Sequence, residues 1–152
     1  MKRIMAAGLV VAGLLGAAAV AGNRTAGPHG GRVIEAGGAT YEFYLDAQHR
    51  AHVFLLDRSL APVAMGRQQA TLRVAPNEGT RKIPLARTSA PAKKGGKAVI
   101  HWASTESLPE PEGYQVTLSV RGQGKPVNVR FVLIEQACRG CKLPEYACIC
   151  DH

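Results

Sequence analysis

From Arg32 onward, hydrophobic residues alternate with polar residues in one segment after another. A period of two places successive side chains on opposite faces, so the pattern predicts β-strands with one face turned to a core. The segments lie at residues 32–36, 39–46, 50–57, 69–75, 80–87, 97–103, 113–121 and 126–135. The sequence therefore predicts an all-β fold, an Ig-like or Greek-key β-sandwich of about 7 to 8 strands within residues 32–136.

The connections between these segments add detail to the predicted sandwich. The last two strands are joined by residues 122–125, a short segment with glycines that favours a hairpin. Asp46 and Arg50 would pair across another hairpin. Pro84 lies inside a strand pattern, and because proline cannot donate a ladder hydrogen bond, it favours a strand at the edge of a sheet.

The amino-terminal residues have the three-part pattern of a secretory signal peptide, residues 1–21. Lys2 and Arg3 precede an uncharged run that ends at a small-x-small site, with cleavage expected after Ala21. An uncleaved membrane anchor is the alternative, since the run is just long enough to span a bilayer. The protein is expected to be periplasmic or secreted, with a membrane contact only through an uncleaved signal. Residues 22–31 are expected to form a flexible lead-in.

The positive charge of the chain does not point to nucleic acid. There are 19 Lys and Arg residues against 11 Asp and Glu residues, a formal net charge of +8. The basic residues are spread thinly, and the densest group lies in the loop-like segment 93–97, so a solvated basic surface is favoured. An exported protein also meets no cellular DNA or RNA. No nucleic-acid partner is therefore expected.

No catalytic motif supports an enzyme. The sequence has no GxSxG elbow, HExxH pair, P-loop or Gly-rich dinucleotide signature. Glu110 and Glu112 lie in a proline-containing loop, where solvated carboxylates are the favoured interpretation. The chain is therefore expected not to be an enzyme.

All four cysteines lie in a Cys-rich tail, residues 137–152, with the spacing C-x2-C-x6-C-x-C. A C-x2-C turn lets two sulfurs point at one ion, and four thiolates complete the tetrahedral shell of zinc. Soft thiolates also suit copper(I), and the terminal imidazole is a fifth candidate ligand. The predicted zinc or copper ligands in the tail are Cys138, Cys141, Cys148, Cys150 and His152.

Disulfide bonds are a second interpretation of the same cysteines. An even number of cysteines in an exported protein normally forms bridges, and a redox-active dithiol is a third alternative. The spacing favours metal, whereas the compartment favours disulfides. The tail has little apolar content, namely Leu143, Tyr146 and Ile149, so without a cross-link of either kind it should be disordered.

The histidines suggest a second candidate site. The Asp46–Arg50 hairpin would place Tyr44 opposite His52 on one sheet face, with a glutamate as the diagonal neighbour. A His/carboxylate site would consist of His29, Glu42, His49 and His52. Exposed ion pairs and surface histidines are the alternative. His101 is expected to lie on a strand and to face solvent.

The stretch PHGGRVIEAGGATYEFYLD and the following AHVFLLDRSLAPV, within residues 28–63, resemble a bacterial periplasmic β-domain found in or beside heavy-metal efflux systems. The shared features are a Pro-His/Asn-Gly-Gly opening, an acidic-aromatic strand, and a second strand that leads to a Pro-Val turn. Residues 69–134 match only as a compatible series of strands. The resemblance implies a role with copper, zinc or related cations outside the inner membrane, with His29 as the metal-binding residue that transfers by motif.

The chain differs from the adaptor proteins of such systems. It lacks their long helical hairpin and lipoyl-like halves, so direct membership of a pump is not expected, although an efflux component is a candidate partner. The resulting hypothesis is an exported copper- or zinc-binding protein that buffers or delivers the metal in the periplasm. The alternative is a structural or interaction β-sandwich whose tail is locked by disulfides.

Overall fold

The computed structural model describes residues 25–76, 79–90, 98–110, 113–121 and 125–150. The predicted signal peptide and His152 lie outside these ranges. Within them, no helix is both long enough and apolar enough to cross a membrane.

The described residues form two antiparallel sheets, which confirms the predicted all-β sandwich. The strands are β1 (Arg32–Ala36), β2 (Ala39–Leu45), β3 (Ala51–Leu56), β4 (Pro62–Val63), β5 (Gln69–Ala75), β6 (Arg81–Ile83), β7 (Leu85–Ala90), β8 (Val99–Ser104), β9 (Tyr114–Arg121) and β10 (Val127–Leu133). The larger sheet has the order β1-β2-β3-β8-β7, with β4 also paired to β3. The smaller sheet has the order β10-β9-β5-β6.

The core lies between the two sheets and is built by the predicted alternation. Phe43 and Val53 from the larger sheet, and Leu72, Val116 and Leu118 from the smaller sheet, are fully buried. These residues lie at every second position of their strands, so each strand contributes one apolar face. The Phe43 ring contacts the Phe131 ring edge to face, with centroids 5.0 Å apart, and thereby joins the sheets.

The structure has ten strands in its described ranges where about eight were predicted. Pro84 divides the predicted segment 80–87 into β6 and β7, and the chain passes there from one sheet to the other. Both strands lie at the edge of their sheets, in agreement with the edge position predicted from the proline. The additional strand β4 has two residues, which is too short to show a period in the sequence.

The hairpin between β2 and β3 has the predicted register. The backbone N–H of Asp46 donates to the carbonyl of Arg50 at 3.1 Å, and Tyr44 lies opposite His52. His49 occupies the turn with φ of 56°, in the left-handed region that few residues other than glycine adopt. From this turn His49 contacts Glu135 and Glu110, and no contact with His52 is found among the described residues.

Candidate metal centre

The Cys-rich tail begins with a tight turn that brings two cysteines together. The N–H of Cys138 donates to the carbonyl of Leu143 at 2.7 Å, and the N–H of Lys142 donates back to the carbonyl of Cys138 at 3.0 Å. Gly140 lies at the tip, where a Cβ atom would stand 2.8 Å from the sulfur of Cys150. A side chain at this position would therefore displace a sulfur, which explains the glycine in the sequence.

The four sulfurs form one compact group, here called the thiol cluster (Cys138, Cys141, Cys148 and Cys150). All four lie within 4.8 Å of one another. The sulfur of Cys148 is 3.3 Å from that of Cys138 and 3.7 Å from that of Cys141. The sulfurs of Cys138 and Cys150 are 3.8 Å apart.

These distances fit a metal site. A tetrahedral zinc ion with Zn–S bonds of about 2.3 Å has sulfurs separated by about 3.8 Å along each edge. Disulfide bonding would instead bring two sulfurs to about 2.05 Å. All four cysteines are free thiols in the structure, and the thiol cluster can hold a metal ion.

Backbone donors favour the thiolate form at the C-x2-C turn. Hydrogen bonds from the N–H of Cys141, from the thiol of Cys148 and from the N–H of Gly140 lower the pKa of Cys138 to about 6. The N–H groups of Ile149 and Leu143 lower the pKa of Cys141 in the same way. A negative charge at this turn is thus stabilised before any cation binds.

The second pair of cysteines behaves in the opposite way. The N–H of Cys150 lowers the pKa of Cys148, but burial and the contacts with the neighbouring thiols outweigh it and raise this pKa to about 12. The contact with the Cys141 thiol, followed by burial, also raises the pKa of Cys150. Further thiolates in so small a volume repel one another, so complete ionisation of the cluster requires a cation.

Tyr146 anchors the tail to the sandwich. The residue lies in a short 3₁₀ helix, Glu145–Ala147, and is only 4% exposed. Its hydroxyl accepts the N–H of Leu45 at 3.1 Å, and its own N–H donates to the carbonyl of Ile134 at 3.0 Å. Its carbonyl accepts the Arg32 guanidinium at 3.0 Å. The tail is therefore packed on the sandwich by one aromatic residue, despite its low apolar content.

A buried carboxylate organises the residues that precede β1. Glu42 is 0% exposed and accepts the backbone N–H groups of His29 at 2.8 Å and of Gly31 at 3.0 Å. The Nδ1 atom of His29 lies 2.7 Å from the same carboxylate. A Cβ atom at Gly27 would overlap the Glu42 side chain, and one at Gly31 would overlap strand β2. Residues 25–31, expected to be flexible, thus form a turn packed over Glu42.

The same sheet face carries an aromatic and imidazole cluster, called the histidine face. Its members are His29, Glu42, Tyr44, Asp46, His52, Phe54 and His101. His52 Nε2 lies 2.9 Å from Asp46, and His52 Nδ1 lies 3.0 Å from His101 Nε2. The rings of Phe54 and His101 are stacked with centroids 4.1 Å apart. The face therefore combines ring stacking with two hydrogen-bonded sets, Asp46–His52–His101 and His29–Glu42.

The structure places the predicted residues in three different locations. The four cysteines come together, whereas His29, Glu42 and His52 lie on the histidine face, and metal binding by His29 stays a prediction. His49 instead contacts Glu135 at 3.2 Å and Glu110 at 3.7 Å. The expectation that His101 faces solvent is wrong, because it is 3% exposed.

The contacts of His52 with Asp46 and His101 were not predicted from the sequence. The alternation did contain one signal for His101. Because His101 precedes the core residue Trp102, its side chain must lie on the opposite face of the sheet. No simple sequence pattern indicates that residues 25–31 cover part of that face. Burial of His101 therefore became evident only in the folded structure.

Burial of His101 predicts a pH-dependent stability. Burial lowers the pKa of His101 below 6.5, the carbonyl of Val99 partly offsets this, and the charges of His52 and His29 lower it further. Neutral His101 therefore contributes its full stability above pH 6.5, the pKa of histidine in the unfolded chain. That contribution is lost as the pH falls toward the lower pKa of His101 in the folded protein. The free energy of unfolding in urea, measured between about pH 7.5 and about pH 5, should decrease less in His101→Gln than in the wild type. His49→Gln is the matched control, and an equal decrease in all three proteins would contradict the prediction.

A metal ion needs several His, Cys, Asp or Glu ligand atoms close together. Among the described residues, the thiol cluster is the one group that meets this condition. In comparisons with protein-family models, curated proteins and solved structures, no match to this chain was found.

Proposed function

We propose that this chain is an exported metal-binding protein that holds a zinc or copper ion on four cysteine thiolates and buffers or delivers it in the periplasm. The observation that carries the proposal is the arrangement of four sulfurs with contacts of 3.3 to 3.8 Å. Zinc fits best, because a tetrahedron of four thiolates is its usual structural site, and copper(I) is the second candidate because it is soft.

Partial exposure of the site supports exchange of the ion. Cys138 and Cys148 are buried, whereas Cys141 and Cys150 are partly exposed. An acceptor ligand can thus reach the ion from the side of the exposed sulfurs without unfolding the sandwich. The signal-like amino terminus supports export, and the resemblance of residues 28–63 to a periplasmic domain of metal efflux systems supports an efflux component as the recipient.

Elemental analysis of protein purified without chelators tests metal binding, together with an assay of free thiols. About one equivalent of zinc or copper per chain is expected, with thiols that react only after the metal is removed. Protein without metal and without free thiols would overturn the proposal and establish the disulfide-locked alternative. Free reactive thiols that take up neither metal would overturn it as well.

A transfer experiment tests delivery. Metal-loaded protein is mixed with a chromophoric chelator of higher affinity, and release of the ion is followed by absorbance. Release within minutes is expected, since two of the sulfurs are accessible. The ion could instead stay bound for days and be released only as fast as the whole protein unfolds. That result would make the ion a purely structural component and overturn the buffering or delivery role.

A further inference from the structure

The outward face of the smaller sheet carries a row of four side chains, one from each strand, and three of them are cationic. In the strand register, Arg73 on β5 lies opposite Lys82 on β6 and opposite Thr117 on β9, and Thr117 lies opposite Arg130 on β10. These four residues are called the cationic row. Because neighbouring strands lie about 4.8 Å apart, the row extends over about 14 Å.

Among the residues that the structure describes, no acidic side chain pairs with the cations of this row. Within the described parts of the chain, no ion pair or side-chain hydrogen bond is formed by Arg73, Lys82 or Arg130. The outward positions of the smaller sheet contain no described Asp or Glu residue. The described carboxylates lie on the other sheet, in loops and in the tail. The fold thus brings Arg73, Lys82 and Arg130, which are far apart in the sequence, together on one surface.

Uncharged hydrogen-bonding groups surround the cations. Ser119 donates its hydroxyl to the Asn128 side-chain oxygen at 2.5 Å. The Asn128 amide N–H groups can therefore donate to a ligand in the adjoining recess. A recess of about 290 Å³ lies on this face. Its polar lining includes Arg73, Thr80, Gln115, Thr117, Asn128 and Arg130. The recess holds about ten water volumes, enough for more than one carboxylate side chain.

We propose that the cationic row and its recess form the docking surface for an acidic segment of a partner protein. The face presents donors and positive charge together, so it is complementary to closely spaced carboxylates. Arg73 and Arg130 are two strands apart, about 10 Å, a distance covered by about three residues of an extended peptide. No cysteine lies on this face, so the inference is independent of the metal centre.

Other polyanions fit the face less well. Single-stranded nucleic acid needs aromatic side chains on which its bases stack, and the described outward positions of this sheet contain none. A lipid surface favours apolar side chains that enter it beside the basic residues. The one large exposed apolar residue described on this face is Val132, which is 48% exposed. An acidic peptide requires neither feature.

The test uses the mature protein and a fluorescent peptide of about twelve residues in which Glu and Ser alternate. Fluorescence anisotropy at about 50 mM salt is expected to show saturable binding, which a peptide with Gln in place of Glu does not show. Arg73→Glu/Arg130→Glu is expected to weaken binding by more than about tenfold. The control Arg58→Glu/Arg67→Glu makes the same change in net charge at exposed positions elsewhere and should change binding by less than about threefold.

Three outcomes would overturn the inference. Equal weakening by both double variants would show an effect of net charge alone, once thermal unfolding has established that both variants are folded. Absence of binding to the Glu-containing peptide would remove the acidic ligand. Binding to vesicles of phosphatidylglycerol, lost in Arg73→Glu/Arg130→Glu while peptide binding is absent, would assign the face to a lipid surface instead.

Discussion

Cys148→Ser is expected to lose metal binding, with an affinity for zinc reduced by more than about 100-fold. Cys148 is buried, and its sulfur contacts the sulfurs of Cys138 and Cys141 at 3.3 and 3.7 Å. A serine hydroxyl stays protonated and is a poor ligand for a soft or borderline ion, so three thiolates and an open position remain. Competition with a chromophoric chelator measures the affinity, and elemental analysis measures the stoichiometry.

The same variant should loosen the tail. Because metal binding stabilises the folded form of a small site, its loss should increase amide hydrogen exchange in the turn between Cys138 and Leu143. Arg139→Ala is the matched control, since Arg139 lies in the same turn, is exposed and provides no sulfur. Unchanged metal content in Cys148→Ser would show that the thiol cluster is not the metal site.

Glu42→Ala is expected to lower the free energy of unfolding by about 3 to 5 kcal/mol. The substitution removes the acceptor of two backbone N–H groups, those of His29 and Gly31, and the partner of the His29 imidazole. It also leaves a cavity, because Glu42 is fully buried under the turn that contains Gly27. Urea denaturation of metal-loaded protein at about pH 7 measures the change.

Two other substitutions test whether the loss of stability comes from the buried carboxylate of Glu42. Glu35→Ala removes an exposed carboxylate from β1 and should change stability by less than about 0.5 kcal/mol. Glu42→Gln retains one oxygen acceptor and nearly the same volume, so its loss should be smaller than that of Glu42→Ala. A loss below about 1 kcal/mol in Glu42→Ala would mean that water replaces the carboxylate and that the turn is not packed on it.

The strands and the thiol cluster could be predicted because both depend on local spacing. Alternation fixes which side chains share a face, and a C-x2-C turn brings two sulfurs together in almost any context. The pairing of Tyr44 with His52 followed from the length of a single hairpin. In each case the relevant residues are close in the sequence, or are related through one turn.

The histidine face could be predicted only in part, because its burial depends on distant residues. Alternation places Glu42 and His101 on the outward side of their strands but does not show whether anything covers that side. The turn containing His29 covers Glu42, and it does so through backbone N–H groups, which have no sequence signature. The left-handed conformation at His49 and its contacts with Glu110 and Glu135 could not be predicted from the sequence pattern either.

The docking of Tyr146 has a further consequence for solubility. Strands β1 and β10 each form one edge of their sheet, and the 3₁₀ helix Glu145–Ala147 lies against both strands. Unprotected edges allow strands of different molecules to pair, which leads to aggregation. The tail acts as a cover for this side of the sandwich. If the thiol cluster binds an ion as proposed, that ion would also help to keep the cover in place. Under the proposed function, a cell short of the metal would accumulate a form of this protein that is more prone to self-association.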